Sequence, residues 1–370
     1  MLAMIIKEFR ELRRDRRTLA MLLALPVLLL IVFGYAANFH ITSLTAAVVG
    51  PGAAQVEQQI AANPQAAGHL DIVATDPSGD VAAARSYLAD AKANVAVYVG
   101  SAKPVVYIDG SSLFAAQSAQ VLVASLGSKV DSEILFNPQL KTSWVMVPAL
   151  VGLILTFIGM LVTSIGLVKE RQNGTLEQLA VMPFRPSAVI AGKIAPYFVL
   201  AAADMLAVTL LGVWIFKVPF NGSPLLFALG GAIFLFVVLG LGVLISTISQ
   251  TVGQAIQTAM FVLMPQILLS GFIFPLAAMP AGVRWIGYLL PLTYFAKISQ
   301  GIMLRGAGLS SLWPAFVILT VMAVVAFGAA VLRFQRSIAP VRSRAGRSPG
   351  GKLGDGTAEQ GVEALKGATP

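Results

Sequence analysis

The chain has 370 residues, 57% of them hydrophobic and 12% charged, with a formal net charge of +9. That composition excludes a soluble core of this length, and the absence of cysteine excludes disulfides and thiolate metal sites. The positive charge is no nucleic-acid footprint, because it gathers at the two ends. Lys7, Arg10, Arg13, Arg14, Arg16 and Arg17 precede the first apolar run, and Arg333, Arg336, Arg342, Arg344, Arg347 and Lys352 follow the last. Basic residues flanking apolar runs mark the cytoplasmic side of a membrane protein.

Residues 4–17 set Ile5, Phe9 and Leu12 at helical spacing with charges around the rest, the pattern of an amphipathic helix at the cytoplasmic interface. Residues 18–39 are uncharged and long enough for a first span. They exceed a signal-peptide apolar core and lack a clean small-residue cleavage site, so they are expected to stay in the chain. Residues 40–143 are more polar. Short apolar runs at 46–49, 95–99 and 105–108 read as strands, and stretches near 81–91 and 112–134 read as helices. Asp109-Gly110 reads as a turn or strand end. One span separates this α/β domain from the basic N-terminus, which places it outside the cytoplasm. Its acids Asp71, Asp76, Asp80 and Asp109 are scattered, and neither His40 nor His69 pairs with them, so no catalytic or metal constellation is expected.

Further spans are expected near 144–168, 188–216, 224–247, 255–274 and 308–332. Residues 218–283 contain no Asp, Glu, Lys or Arg, enough for two spans with a polar break at Ser249–Gln254. Residues 275–305, with Pro275, Pro280 and Pro291, are too polar and broken to span and read as short helices at the outer surface, dipping into the bilayer. Residues 336–370 are poor in apolar side chains and read as a disordered cytoplasmic tail. The expected fold class is an α-helical polytopic membrane protein of about six transmembrane helices. Its small α/β extracytoplasmic domain is inserted between spans one and two, and both termini are cytoplasmic.

The cytoplasmic loop after the second span reads Lys169-Glu-Arg-Gln-Asn-Gly-Thr-Leu-Glu-Gln-Leu-Ala-Val-Met-Pro183. Thr175 and Gln178 have the spacing of a capping box, Asn173-Gly174 supplies the preceding turn, and Pro183 stops the helix. A two-turn helix over 175–182 follows. On residues alone, an ordinary loop helix remains open.

This run, followed by Gly192-Lys-Ile-Ala-Pro-Tyr197, resembles the membrane subunit of type-2 ABC exporters. So do Leu269-Ser-Gly-Phe-Ile-Phe-Pro275, Leu290-Pro-Leu-Thr-Tyr-Phe295 and Val106-Tyr-Ile-Asp-Gly110. The resemblance covers about residues 1–335 and is nearest to bacterial permeases with a large domain after the first span, many tied to efflux of drugs or other hydrophobic solutes. It implies a plasma-membrane permease powered by a separate cytoplasmic ATPase that carries ATP and Mg²⁺, with a second permease copy or a paralogue completing the pathway. The helix 175–182 would then be a coupling helix. Glu170, Arg171, Gly174, Thr175, Leu176, Glu177 and Leu179 would form the ATPase-coupling site.

No phosphate-binding loop is expected within the chain. Gly346–Lys352 nearly matches the phosphate-cradling pattern, but Leu353 stands where a hydroxyl should reach Mg²⁺. Asp204 is the one acid well inside a span, about 16 Å along the helix from Lys193. It is a pathway candidate with Gln257 and Gln266; a structural hydrogen bond is the competing role. An alternative function is mechanotransmission or signalling without a solute pathway, against which six spans argue. An ion-coupled transporter would require paired broken helices that the sequence does not show.

Overall fold

The computed structural model describes residues 44–62, 70–100, 103–174 and 186–338, with Ala20, Val27 and Gly68 standing singly. The amphipathic helix expected over 4–17, the first span, the helix 175–182 and the tail beyond 338 lie outside the described residues.

The α/β region is a five-stranded sheet in the order β2-β1-β3-β4-β5. The strands are β1 (Leu44–Val49), β2 (Leu70–Asp76), β3 (Val95–Tyr98), β4 (Val105–Asp109) and β5 (Asp131–Leu135). Helices α1 (Ala53–Ala62), α2 (Val81–Ala89) and α3 (Leu113–Leu126) make the crossovers. β1 runs parallel to β2 and β3, β3 antiparallel to β4, and β4 parallel to β5. The central strands are continuous apolar runs because both faces are covered: Ala46 to Val49 are fully buried. Asp80 caps α2, its Oδ1 accepting from Ala83 N at 2.8 Å.

Four elements differ from the sequence reading. β2 was not anticipated. It is an edge strand in which Asp71 and Val73 face out, so it carries no continuous apolar run. α1 was also missed, with Gln55, Glu57, Gln58 and Gln59 among its ten residues. The helix expected over 112–134 ends at Leu126, because Gly127 takes a left-handed φ of +61° and breaks it. Residues 131–135 become β5, whose first three residues are exposed.

Asn137 carries the chain from the sheet into the membrane part. It is fully buried. Its Nδ2 donates to Gly110 O at 3.3 Å and Lys141 O at 3.1 Å, and its Oδ1 accepts from Lys141 N at 2.9 Å.

The long helices are α4 (Thr142–Gln172), α5 (Pro186–Phe216), α6 (Pro224–Ile248), α7 (Val252–Leu269) and α10 (Leu309–Ile338). All five contain a stretch long and apolar enough to cross a membrane, and they begin and end near the expected spans. α6 is the hub, packing on α4, α5, α7, α9 and α10. The polar break appears as a turn: Ser249 ends α6, and Thr251 caps α7 by accepting from Gln254 N at 3.2 Å.

Residues 275–305 divide in two. The short α8 (Ala281–Gly287) is superficial, with Trp285 57% exposed. The inward part is α9 (Pro291–Met303), which is wedged among α4, α6 and α10. Leu292, Phe295, Ile298 and Ile302 are fully buried. At 1.5 Å per residue its 13 residues reach about 20 Å, short of the ~30 Å bilayer core. It therefore enters the bundle without crossing it. Glycines make the room. A Cβ on Gly152 of α4 would clash with Phe295 and lie 2.8 Å from Leu292, and one on Gly230 of α6 would lie 2.9 Å from Ile298. Phe295 stacks on Phe234 of α6, centroids 4.5 Å apart at 19°.

Candidate functional site

Three polar places stand out in a chain otherwise dominated by apolar packing. The first is the end of α4. Arg171 Nη1 donates to Ser249 O at 3.2 Å, and Gln172 Nε2 to Gln250 O at 3.4 Å. The last turn of α4 is thus fastened to the α6–α7 turn. Its C-cap is Asn173, and Gly174 follows at φ +72°, a left-handed conformation that redirects the chain sharply. Glu170 and Arg171 are partly buried there. Of the expected coupling residues, Glu170, Arg171 and Gly174 are brought together at this end, while Thr175, Leu176, Glu177 and Leu179 lie outside the described residues. Sequence reasoning treated Arg171 as a contact for a partner; its bond to the α6–α7 turn was invisible because Ser249 is 78 residues away.

The second place is inside the bundle. Asp204 on α5 lines a cavity of about 130 Å³ with Ile158, Val162 and Thr163 of α4 and Leu239 of α6. Asp204 Oδ2 and Thr163 Oγ1 are buried and find no hydrogen-bond partner among the described residues. Buried polar atoms without partners are uncommon and ask for water or ligand. A cavity of this volume admits several waters. Thr163 was missed by sequence reasoning, since one threonine in an apolar helix carries no signal of its own. The three pathway candidates do not converge. Gln266 is 1% exposed, and its Oε1 accepts from Leu292 N at 3.3 Å, occupying a free N–H of the first turn of α9. Gln257 is exposed on α7.

The third place joins the sheet to the bundle and was not anticipated. Arg305, just past α9, donates from Nη1 to Ser111 Oγ at 3.0 Å. The same hydroxyl donates to Asp109 Oδ1 at 2.6 Å, and Ser111 N donates there at 2.9 Å. Ser111 is thus a relay between a cation and an acid 2% exposed. Burial pushes the Asp109 carboxyl above its usual range, against the pull of Arg305 and the Ser111 bonds. Burial likewise lowers Arg305, opposed by Asp109 and Asp90. A second tie runs from Ser311 Oγ to Asp90 Oδ1 at 2.8 Å, and a third from Gln300 Nε2 to Val145 O at 3.0 Å. The sheet, the start of α4, α9 and the start of α10 are therefore one polar joint. Ser111→Ala removes the hydroxyl that serves both charges and is expected to cost about 1.5–3 kcal/mol locally. Hydrogen exchange should show faster exchange around residues 109–112 and 303–308, and unchanged protection in both segments would contradict the relay.

The model of the ABC-2 family transporter protein matches residues 16–332. Among curated relatives, the probable multidrug ABC transporter permease YbhR of Escherichia coli (strain K12) is 29% identical over 363 residues, covering 90% of this chain and 98% of the relative. YbhS of the same organism, also a probable multidrug ABC transporter permease, is 28% identical over 337 residues, covering 82% of this chain and 88% of its own. ABC transporter G family member 20 of Dictyostelium discoideum is 30% identical over 184 residues, 49% of this chain and 25% of that protein.

Proposed function

From its membership of the ABC-2 family of transporter proteins, to which the chain belongs, we propose that it is the permease subunit of an ATP-driven exporter of hydrophobic or amphipathic solutes. The observation that carries this is the family match over 16–332, which takes in all the long apolar helices. The E. coli relatives are named multidrug permeases, and a drug-like or lipid-like solute is the matching expectation here. The mechanotransmission alternative finds no support among these relatives.

In this reading the membrane is the bacterial inner membrane. Both termini and the α4–α5 loop face the cytoplasm, and the sheet faces outward. That arrangement puts both dense basic clusters on one side. A separate ATPase binds ATP and Mg²⁺ and docks on residues 170–182. Thr175, Leu176, Glu177 and Leu179 form its seat, while Glu170, Arg171 and Gly174 link that seat to the bundle. A second permease copy completes the pathway, because one chain of this size does not enclose a channel of its own. α5 is the least enclosed of the described spans: Val199, Leu206, Leu210 and Trp214 are all at least 59% exposed. Asp204 and Thr163 sit beside that face and offer the pathway its polar contact. Gln257 is a lesser candidate, and Gln266 is taken up by α9.

The experiment is efflux from proteoliposomes. The chain co-expressed with a candidate ABC ATPase subunit should export a hydrophobic dye such as Hoechst 33342, or another member of a panel of lipophilic dyes and lipids, only with ATP. The chain purified alone should hydrolyse no ATP. Hydrolysis that persists after deletion of residues 340–370, or dye movement without any ATPase, would refute the division of labour.

A further inference from the structure

A cavity of about 450 Å³ opens at the joint between the sheet and the bundle. Its volume lies in the range of small-molecule sites. It is separate from the Asp204 cavity and shares no residue with it. Its walls divide by chemistry. Phe272, Pro314 and Ile318 come from the ends of α7 and α10 and are apolar, whereas Arg305 and Lys297 are cationic.

Two acids, Asp90 and Asp109, line the cavity as well, and both are already engaged. Asp109 is held by Ser111 through two hydrogen bonds, and Asp90 is held by Lys92 at 2.9 Å and by Ser311. Lys297 forms no ion pair among the described residues. Its ammonium lies 5.7 Å from the Tyr288 ring centroid and 5.8 Å from that of Tyr294. Lys297 is also the only exposed residue in the stretch from Pro291 to Ser299. Arg305 spends Nη1 on Ser111, yet its Nε is buried without a hydrogen-bond partner among the described residues. A guanidinium N–H left in this state is a vacant donor. Two cationic donors therefore face one space whose acids are already engaged, beside an apolar wall.

We propose that this cavity binds an anionic amphiphile, with its phosphate or carboxylate headgroup between Lys297 and Arg305 and its alkyl chain along Phe272, Pro314 and Ile318. The headgroup completes the hydrogen bonding of Arg305 and neutralises Lys297. The chain covers side chains at the margin of a membrane span, where Ile318 is 39% exposed. A cationic amphiphile is disfavoured, since it would meet Lys297 without a free acid to balance it. Such a ligand lies against the joint, where Asp109 and Ser111 from the sheet side also line the cavity.

The test uses the full chain in neutral maltoside detergent, without any ATPase, so its failure leaves the export reading standing. Dodecyl phosphate is titrated calorimetrically, beside inorganic phosphate and dodecyltrimethylammonium. Saturable binding of dodecyl phosphate is expected, weakened tenfold or more in Lys297→Gln and unchanged in Lys129→Gln, an exposed cation after α3 that does not line the cavity. Lys297 makes no hydrogen bond that the fold needs, so this variant should fold normally; Arg305→Lys, which keeps the charge and removes the fork, should weaken binding while retaining the joint. Equal affinity of inorganic phosphate would overturn the amphiphile and leave a bare anion site. Preference for dodecyltrimethylammonium, or dodecyl phosphate binding indifferent to Lys297→Gln, would overturn the proposal.

Discussion

Phe295→Ala is expected to cost about 3–5 kcal/mol of stability, the range for truncating a fully enclosed aromatic ring. The ring is 0% exposed and sits where three helices meet. It stacks on Phe234, tilts against Phe227 at 6.2 Å, and occupies the space that Gly152 leaves open. Alanine would leave a cavity that these neighbours cannot collapse into, since α9 is held at its N-terminus by Gln266 and at its far end by Arg305. The check is thermal unfolding in neutral detergent beside Phe216→Ala. Phe216 is 50% exposed, and its loss should shift stability by no more than about 0.5 kcal/mol. Equal shifts in the two variants would mean that α9 is not a structural wedge. Gly152→Val should be damaging from the opposite side, by forcing Phe295 out of its place.

α9 also marks where the sequence stops being legible. Pro291 signals a helix start, and the 3.6-residue pattern of Leu292, Phe295 and Ile298 signals one apolar face. Those cues do not say what that face meets. Its partners are Gly152 and Gly230, and small residues in apolar helices are too common to point at one another. The spans were legible because a bilayer imposes length and apolarity on each of them independently. The central strands β1, β3 and β4 were legible because double-sided burial writes continuous apolar runs. The edge strands β2 and β5 were not, since they pair on one side and keep polar residues on the other. The relay through Ser111 could not be read at all: Asp109-Gly110 looked like a turn, and Arg305 lies 194 residues from Ser111. Asp204 did announce itself, as a charge in an apolar run, whereas its companion Thr163 did not.

At the end of α4 and in the loop that follows, two charge reversals should fail in different ways. Both outcomes follow from the coupling role proposed for residues 170–182. Arg171→Glu loses the donor to Ser249 O and places a carboxylate against a carbonyl oxygen, so the end of α4 comes loose from the α6–α7 turn. A hydrogen bond from a charged donor is worth about 1.5–3 kcal/mol. That is enough to unfasten a helix end but too little to unfold five packed helices. The ATPase seat remains, so the ATPase should still co-purify, while its movements no longer reach α6 and α7. Export should fall at least tenfold with association nearly intact. Glu177→Lys acts on the seat itself. Losing a charged contact buried at a subunit interface costs about 2–5 kcal/mol, so association and export should fall together. Pull-down of the ATPase and dye efflux, measured on both variants beside the tail control Glu359→Lys, separate the two. If Arg171→Glu lost the ATPase as completely as Glu177→Lys, Arg171 would be part of the seat, and its bond to Ser249 would carry no coupling. If both variants exported normally, residues 170–182 would not be the coupling element. The stroke would then have to enter the bundle elsewhere, through the α6–α7 turn alone.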